Sequence, residues 1–293
     1  MKMAERRHDV ETAVGRLAVR VRGEGPTAVL WHSLFVDDRS WIRVEDELAQ
    51  QRRLVVITGP GHGRSGDPGR RYSLDDCASA AGAVLDSLEA DGALLTGAPV
   101  DWVGNAWGGH VGIVFAARWP HRCRTLATFG TPVQALAPLE RATSTVLVAA
   151  FRVLGPAPFL RRGVVKVLMS PRTRRRDAEA VALIEDQLSA AARRPLVNAM
   201  ISVMLRRRDL ASRLPSIASP TLLVTGSAHA TWTPQRAEAA SRLLTHGQVA
   251  VVADTAYLIP LEDPATTIRL LTQLWERELP EPTAPSASRV PGQ

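Results

Sequence analysis

Between residues 100 and 110 the chain reads Val100-Asp101-Trp102-Val103-Gly104-Asn105-Ala106-Trp107-Gly108-Gly109-His110. An apolar run followed by Gly-x-x-x-Gly has the spacing of a nucleophile elbow, G-x-S-x-G, where a sharp strand-to-helix turn lifts one side chain clear of a parallel sheet. The chemistry of such a turn is acyl transfer. A nucleophile attacks a carbonyl, an imidazole takes its proton, and a carboxylate holds the imidazole in one tautomer. Here the attacking position holds Ala106. A methyl group cannot attack, so the stretch predicts an architecture and, at the same residue, speaks against the reaction that usually goes with it.

The rest of the chain supplies the elements that must position this turn. Thr12 to Arg22 alternates apolar and polar residues up to Gly23-Glu24-Gly25-Pro26, which reads as an edge strand pair with a turn. Ala28-Val29-Leu30-Trp31 is a short apolar run of the kind buried in a parallel sheet. A loop from His32 through Ser33, Leu34, Phe35 and Asp38 follows, then a helix to about Gln51. The strand Leu54 to Ile57 opens into Gly59-Pro60-Gly61-His62-Gly63-Arg64-Ser65-Gly66, too rich in glycine for regular structure. Ser73, followed by Asp75 and Asp76, is placed to cap a helix running to about Leu88.

After the elbow and its helix, a strand spans Thr125 to Phe129, and from Val133 to about Pro215 the pattern is wholly helical. Strands resume at Thr221 to Gly226 and at Val249 to Ala253. Helices are expected near Thr233-Pro234, with Thr as N-cap and Pro in the first turn, and from Pro264 to about Leu279. Alternating strands and helices predict a mostly parallel sheet covered on both faces. The domain reading is an α/β core in two parts, residues 1–132 and 216–279, a helical cap at 133–215, and a Pro-, Ser- and Ala-rich tail, 280–293, expected to be disordered. Every unusual loop falls at the carboxyl edge of the strands, where such sheets bind ligands.

Composition narrows the classes. An apolar fraction of 45% over 293 residues fills a core without covalent staples. Cys77 and Cys123 read as buried thiols of a reducing compartment. No apolar run approaches the roughly 18 residues of a membrane span, and Met1 to Glu11 lacks the apolar core of a secretory signal. The expected location is therefore cytoplasmic. The net charge of +7 is concentrated in Arg152, Arg161, Arg162, Lys166, Arg172, Arg174, Arg175 and Arg176. Without interleaved aromatic side chains this cluster reads as a solvated helix face, and no nucleic-acid partner is expected. The seven histidines are scattered, so no metal site is implied. The Gly59 to Gly66 loop lacks phosphate-loop spacing. No cofactor is expected, and oligomeric state is not legible.

The His32-Ser33 loop, Gly61-His62-Gly63-Arg64-Ser65, the elbow and Pro260-Leu261-Glu262-Asp263-Pro264 occur in order with a cap-sized insertion between them. Together they resemble the α/β-hydrolase superfamily over about Thr12 to Leu279. The likeness is to its helical-capped branch of esterases, lactonases, epoxide hydrolases, haloalkane dehalogenases and carbon–carbon bond hydrolases. The resemblance implies an α/β-hydrolase fold with an inserted helical cap. It puts the nucleophile at Ala106, the acid at His229 and the catalytic histidine at Tyr257. Three replacements together imply a natural loss of the triad. The resemblance also implies an oxyanion hole from the backbone N–H groups of Trp107 and Leu34, with Ser33, Phe35 and Asn105 as pocket-lining candidates. His32 and His62 match structural loop positions, and Thr58 stands where the family often has Asp. His110, one turn beyond Ala106, is expected to point along the helix in a structural role.

Three readings follow. The protein binds a small, largely apolar molecule under the cap without hydrolysing it. Alternatively, it is a non-hydrolytic enzyme of isomerase, lyase or cyclase type, in which a hydrogen-bonded Tyr257–His229 pair works beside the oxyanion hole. A third possibility is a hydrolase with displaced catalytic residues.

Overall fold

The computed structural model describes residues 5–276. The expected tail 280–293, and the end of the last helix at Leu279, lie outside the described residues. Eight strands form one sheet: β1 (Glu5–Thr12), β2 (Gly15–Arg22), β3 (Thr27–Trp31), β4 (Arg53–Ile57), β5 (Val100–Asn105), β6 (Cys123–Phe129), β7 (Thr221–Gly226) and β8 (Gly247–Val252). Their order is β1-β2-β4-β3-β5-β6-β7-β8. β2 runs antiparallel to β1 and β4, and from β4 onward all neighbours are parallel.

Period-two alternation divides the core between the two faces. Ala28 and Leu30 of β3 join Leu54, Val56, Val103 and Phe129 on one side. Val29 and Trp31 join Val55, Ile57 and Trp102 on the other. On that second face Trp31 stacks on Trp102 with centroids 6.3 Å apart, and Trp102 on Phe115 at 4.9 Å. Gly112 makes room for this stack, since a Cβ there would lie 2.4 Å from the Trp102 indole. At the amino end of β5, fully buried Asp101 accepts from Arg52 Nε at 2.8 Å, Arg124 Nε at 2.9 Å and Thr125 Oγ1 at 2.7 Å.

Several boundaries differ from the sequence reading. The edge hairpin starts at Glu5 rather than Thr12, and turns at Ala13-Val14. The helix expected up to Gln51 is only a 3-10 turn, Asp38–Trp41, and one short helix, Glu45–Leu48. Its acidic residues turn toward the hairpin, where Arg20 pairs with Asp38 at 2.7 Å and with Glu45 at 2.6 Å. Thr58 donates to Asp38 at 3.0 Å and joins this network. Ser73 caps the helix Leu74–Ala90 through a reciprocal pair with Asp76 (3.1 and 2.8 Å), and Thr233 caps Pro234–Ser241.

Between β6 and β7 the described chain is helical throughout, including Pro138–Leu154, Pro158–Leu168, Ala178–Ala190 and Arg193–Ala199, the last continuing as a π-helical turn, Met200–Leu205. The basic cluster lies in these helices and is largely exposed. Both cysteines are buried and free. Among the described residues no helix is long and apolar enough to cross a membrane.

Candidate functional site

The elbow forms where β5 meets the helix Trp107–Arg118. Ala106 has φ 48° and ψ −100°, a conformation that costs an L-residue on the order of 1–3 kcal/mol. Two glycines permit it. A Cβ on Gly104 would lie 2.2 Å from the Gly108 carbonyl carbon, and one on Gly108 would lie 1.9 Å from the Trp31 oxygen. The turn is pinned by donations from Ala106 N to Phe129 O (2.8 Å) and Gly108 N to His32 O (3.1 Å). Gly-x-Ala-x-Gly therefore builds a strained turn with only a methyl at its tip.

Around this tip lies a cavity of about 510 Å³, bounded by Ser33, Leu34, Phe35, Ala106, Trp107, Tyr257 and the helical insertion. A larger cleft, about 730 Å³, lies beside the edge hairpin and does not touch Ala106. Its charged walls are largely paired with one another, Arg20 with Asp38 and Glu45, and Arg39 with Asp37. The smaller cavity is therefore the one that meets the elbow.

Two buried histidines outside the cavity lining hold the loop that carries Leu34. His32 Nε2 accepts from Gly59 N at 2.8 Å while Nδ1 contacts Ser33 O at 2.7 Å. This fixes the proton on Nδ1. Burial, reinforced by nearby His62, pushes the His32 pKa down to about 4. His62 lies between the carbonyls of Leu34 (2.5 Å) and Pro60 (3.0 Å), and burial lowers its pKa too. The Leu34 carbonyl is thus bonded to His62, while its N–H is not used by these partners. Among the described residues neither that amide nor the amide of Trp107 donates to a protein acceptor. As the first residue of its helix, Trp107 has no intrahelical acceptor.

Tyr257 lines the cavity, and its backbone is clamped from two sides. Asn105 Nδ2 donates to its carbonyl at 2.7 Å, and its N–H donates to Leu168 of the helical insertion at 3.1 Å. Its hydroxyl bonds Thr231 Oγ1 at 2.9 Å. Burial raises the phenol pKa. His229 lies against Tyr257 and is 4% exposed. Its Nδ1 accepts from Trp232 N (2.9 Å) and Thr231 N (3.3 Å). Nε2, on the side of the Gly130 carbonyl, has no partner in good hydrogen-bond geometry. Burial lowers the His229 pKa to about 4.

Of the residues singled out in the sequence, Ser33, Leu34, Phe35, Ala106, Trp107 and Tyr257 converge on the cavity. Asn105 does not. Its side chain points back into the sheet, bonding Phe129 O at 2.9 Å and Tyr257 O, because neighbours on a strand face opposite sides. The expected hydrogen-bonded Tyr257–His229 pair is instead a contact of ring faces, the Tyr257 hydroxyl being bonded to Thr231 and His229 Nδ1 to the N–H groups of Thr231 and Trp232. His110 does border the cavity, with Nε2 donating to Pro132 O at 2.8 Å. The roof residues Glu140, Leu147, Val164, Met204 and Arg207 carry no spacing signal that would mark them in the sequence.

The sheet order, the elbow at Ala106 and the helices between β6 and β7 define an α/β-hydrolase fold. The chain belongs to the alpha/beta hydrolase family, whose model matches residues 28–270. It is similar to a 2-hydroxy-6-oxo-2,4-heptadienoate hydrolase of Pseudomonas putida, 34% identical over 124 residues, 42% of this chain and 39% of that protein. It is also similar to a 2-hydroxymuconate semialdehyde hydrolase of Pseudomonas sp. strain CF600, 31% identical over 122 residues, 41% of this chain and 38% of that protein. The matches thus span about two fifths of these relatives' lengths. Among solved structures, an esterase of Thermogutta terrifontis superposes with a TM-score of 0.82 at 23% identity, covering 92% of this chain and 98% of that one. The enol-lactonase of Burkholderia xenovorans LB400 gives 0.82 at 19%, covering 92% and 100%.

Proposed function

We propose that this protein has lost nucleophile–histidine–acid hydrolysis and binds a small, largely apolar molecule in the cavity above Ala106. The observation that carries the reading is the elbow. The strained turn is intact, yet its tip is a methyl group facing a cavity of about 510 Å³. Ala106, Tyr257 and His229 stand in the nucleophile, histidine and acid roles, and none can perform its role. Tyr257 is held protonated by burial. His229 is a neutral acceptor of backbone N–H groups. The unpaired amides of Leu34 and Trp107 are suited to a ligand carbonyl or other acceptor, because backbone donors do not depend on the lost side chains. The similar hydrolases act on small molecules by name, which agrees with a small ligand here.

The test pairs catalysis with binding. On p-nitrophenyl acetate and butyrate the protein is expected to give no turnover above background, while the neutral apolar dye Nile red binds and is displaced by small apolar compounds. Robust ester turnover by the unaltered protein would end the reading.

A further inference from the structure

The cavity is not uniformly apolar. Arg207 lines it and is only 7% exposed. Its one hydrogen bond among the described residues is a 3.3 Å donation from a terminal nitrogen to Val133 O. No carboxylate of the described residues pairs with it within 4.0 Å. Glu140, the one carboxylate on the cavity wall, is engaged at 2.9 Å by Ala137 N at the start of its own helix. The second arginine on the wall, Arg236, is exposed and donates to Thr231 O at 2.8 Å.

A buried guanidinium without a counter-ion is costly, and removing it from water is compensated when an anion fills its donors. Arginine offers five N–H groups in a planar fork that matches a carboxylate. Most of that fork is unused here. Burial lowers the Arg207 pKa to about 10, against the opposing pull of the Asp209 and Glu140 charges, which lie beyond ion-pair distance. Its surroundings define the rest of the ligand. Among the other polar groups of the wall, Ser33 and His110 are buried, Gln134 Oε1 is buried without a hydrogen-bond partner among the described residues, and Tyr257 is bonded to Thr231, while Leu147, Val164, Val203 and Met204 make an apolar roof.

We infer that the cavity takes an amphipathic acid, its carboxylate held by Arg207 and its hydrocarbon body lying against Leu147, Val164 and Met204. The inference rests on the cavity being the ligand site. Arg207 follows the π-helical turn Met200–Leu205, and Val203 and Met204 of that turn share its cavity face. One short stretch, Val203 to Arg207, thus supplies both the charge and part of the apolar wall.

The experiment is displacement of Nile red by octanoate, octanamide and octanol, which share a chain and differ in the head group. With the unaltered protein octanoate should displace at a concentration lower than octanamide by about tenfold or more, as a charge-assisted pair predicts. Arg207→Met should abolish the preference while retaining octanol binding, and Arg207→Lys should restore part of it. Equal potency of octanoate and octanamide on the unaltered protein overturns the carboxylate assignment and leaves the ligand-site reading standing. A preference that persists in Arg207→Met overturns it as well. If Nile red does not bind and no compound shifts the melting temperature, the ligand-site reading fails and this inference with it. Should Arg207→Met not fold, the comparison on the unaltered protein and Arg207→Lys still decides.

Discussion

Tyr257 lies against His229 with ring centroids 3.6 Å apart and 30° between planes, and its hydroxyl turns away to Thr231 at 2.9 Å. The two side chains touch through their faces and not through their polar atoms. His229 Nδ1 is occupied by two backbone N–H groups, so its remaining proton sits on Nε2, on the side of the Gly130 carbonyl. A relay from the phenol to the imidazole would need a hydrogen bond that this contact does not contain. That arrangement weighs against proton shuttling by the pair and in favour of Tyr257 as part of a cavity wall.

Rebuilding the chemistry separates these roles. Ala106→Ser alone should leave ester hydrolysis near background, because no base faces the new hydroxyl. The combined variant Ala106→Ser, His229→Asp, Tyr257→His should exceed that single variant by about a hundredfold in kcat/KM on p-nitrophenyl acetate, since the three groups act as a unit. Comparable turnover in the single and triple variants would show that positions 229 and 257 are not the acid and histidine positions.

Backbone strain at the elbow gives a second prediction. Ala106→Gly should stabilise the fold by about 1 kcal/mol, because glycine adopts positive φ without the Cβ penalty. Gly104→Ala and Gly108→Ala should each cost roughly 3 kcal/mol or more, their Cβ atoms falling on backbone at 2.2 and 1.9 Å. Urea denaturation of the three variants measures both. A destabilised Ala106→Gly would show that the turn is not under strain.

What was legible in the sequence follows from which interactions are local. β7 is bounded by the same residues, Thr221 and Gly226, that bound its apolar run, and Ser73 and Thr233 cap helices through contacts three residues away. The elbow was legible because glycine is required at fixed offsets. The cavity roof was not, because Arg207 resembles Arg206 and Arg208 in composition and only the tertiary fold makes it buried. Asn105 misled for a related reason. Proximity to Ala106 in sequence suggested the cavity, and strand alternation turned it to the opposite side.

Asp101 offers a test of the scaffold independent of the cavity. It is fully buried in β5 and accepts from Arg52, Arg124 and Thr125. Asp101→Ala would strip two arginines of their carboxylate, and Arg52 would keep only a 2.9 Å donation to Gln51 O and its position over the Trp275 ring, 4.5 Å from the centroid. Removing one side of such a network costs on the order of 3–5 kcal/mol. Denaturant midpoints should therefore fall sharply, whereas Nile red binding by the residual folded fraction should be unchanged. A midpoint shifted by less than about 1 kcal/mol equivalent would show that solvent replaces the lost carboxylate.

The buried histidines make stability depend on pH in a defined window. In the folded state His32 and His229 each have a pKa of about 4, and burial also lowers those of His62 and His110. In the unfolded chain a histidine titrates near 6.5. Between about pH 6.5 and 4 the unfolded state therefore binds more protons than the folded state, and unfolding free energy falls as pH falls. The contribution is fully present above about 6.5, is lost progressively toward 4, and amounts to about 3 kcal/mol for each of the two groups at most. Carboxylates held low by arginine partners, such as Asp38 beside Arg20 and Asp177 beside Arg43, add a loss of the same sign near and below their ordinary range. Urea titrations at pH 7.5, 6 and 5 should show the decline, with His229→Gln removing close to one proton from the slope while its amide oxygen accepts the Trp232 N–H. Stability unchanged from pH 7.5 to 5 would mean that these rings reach solvent and are not held neutral by burial.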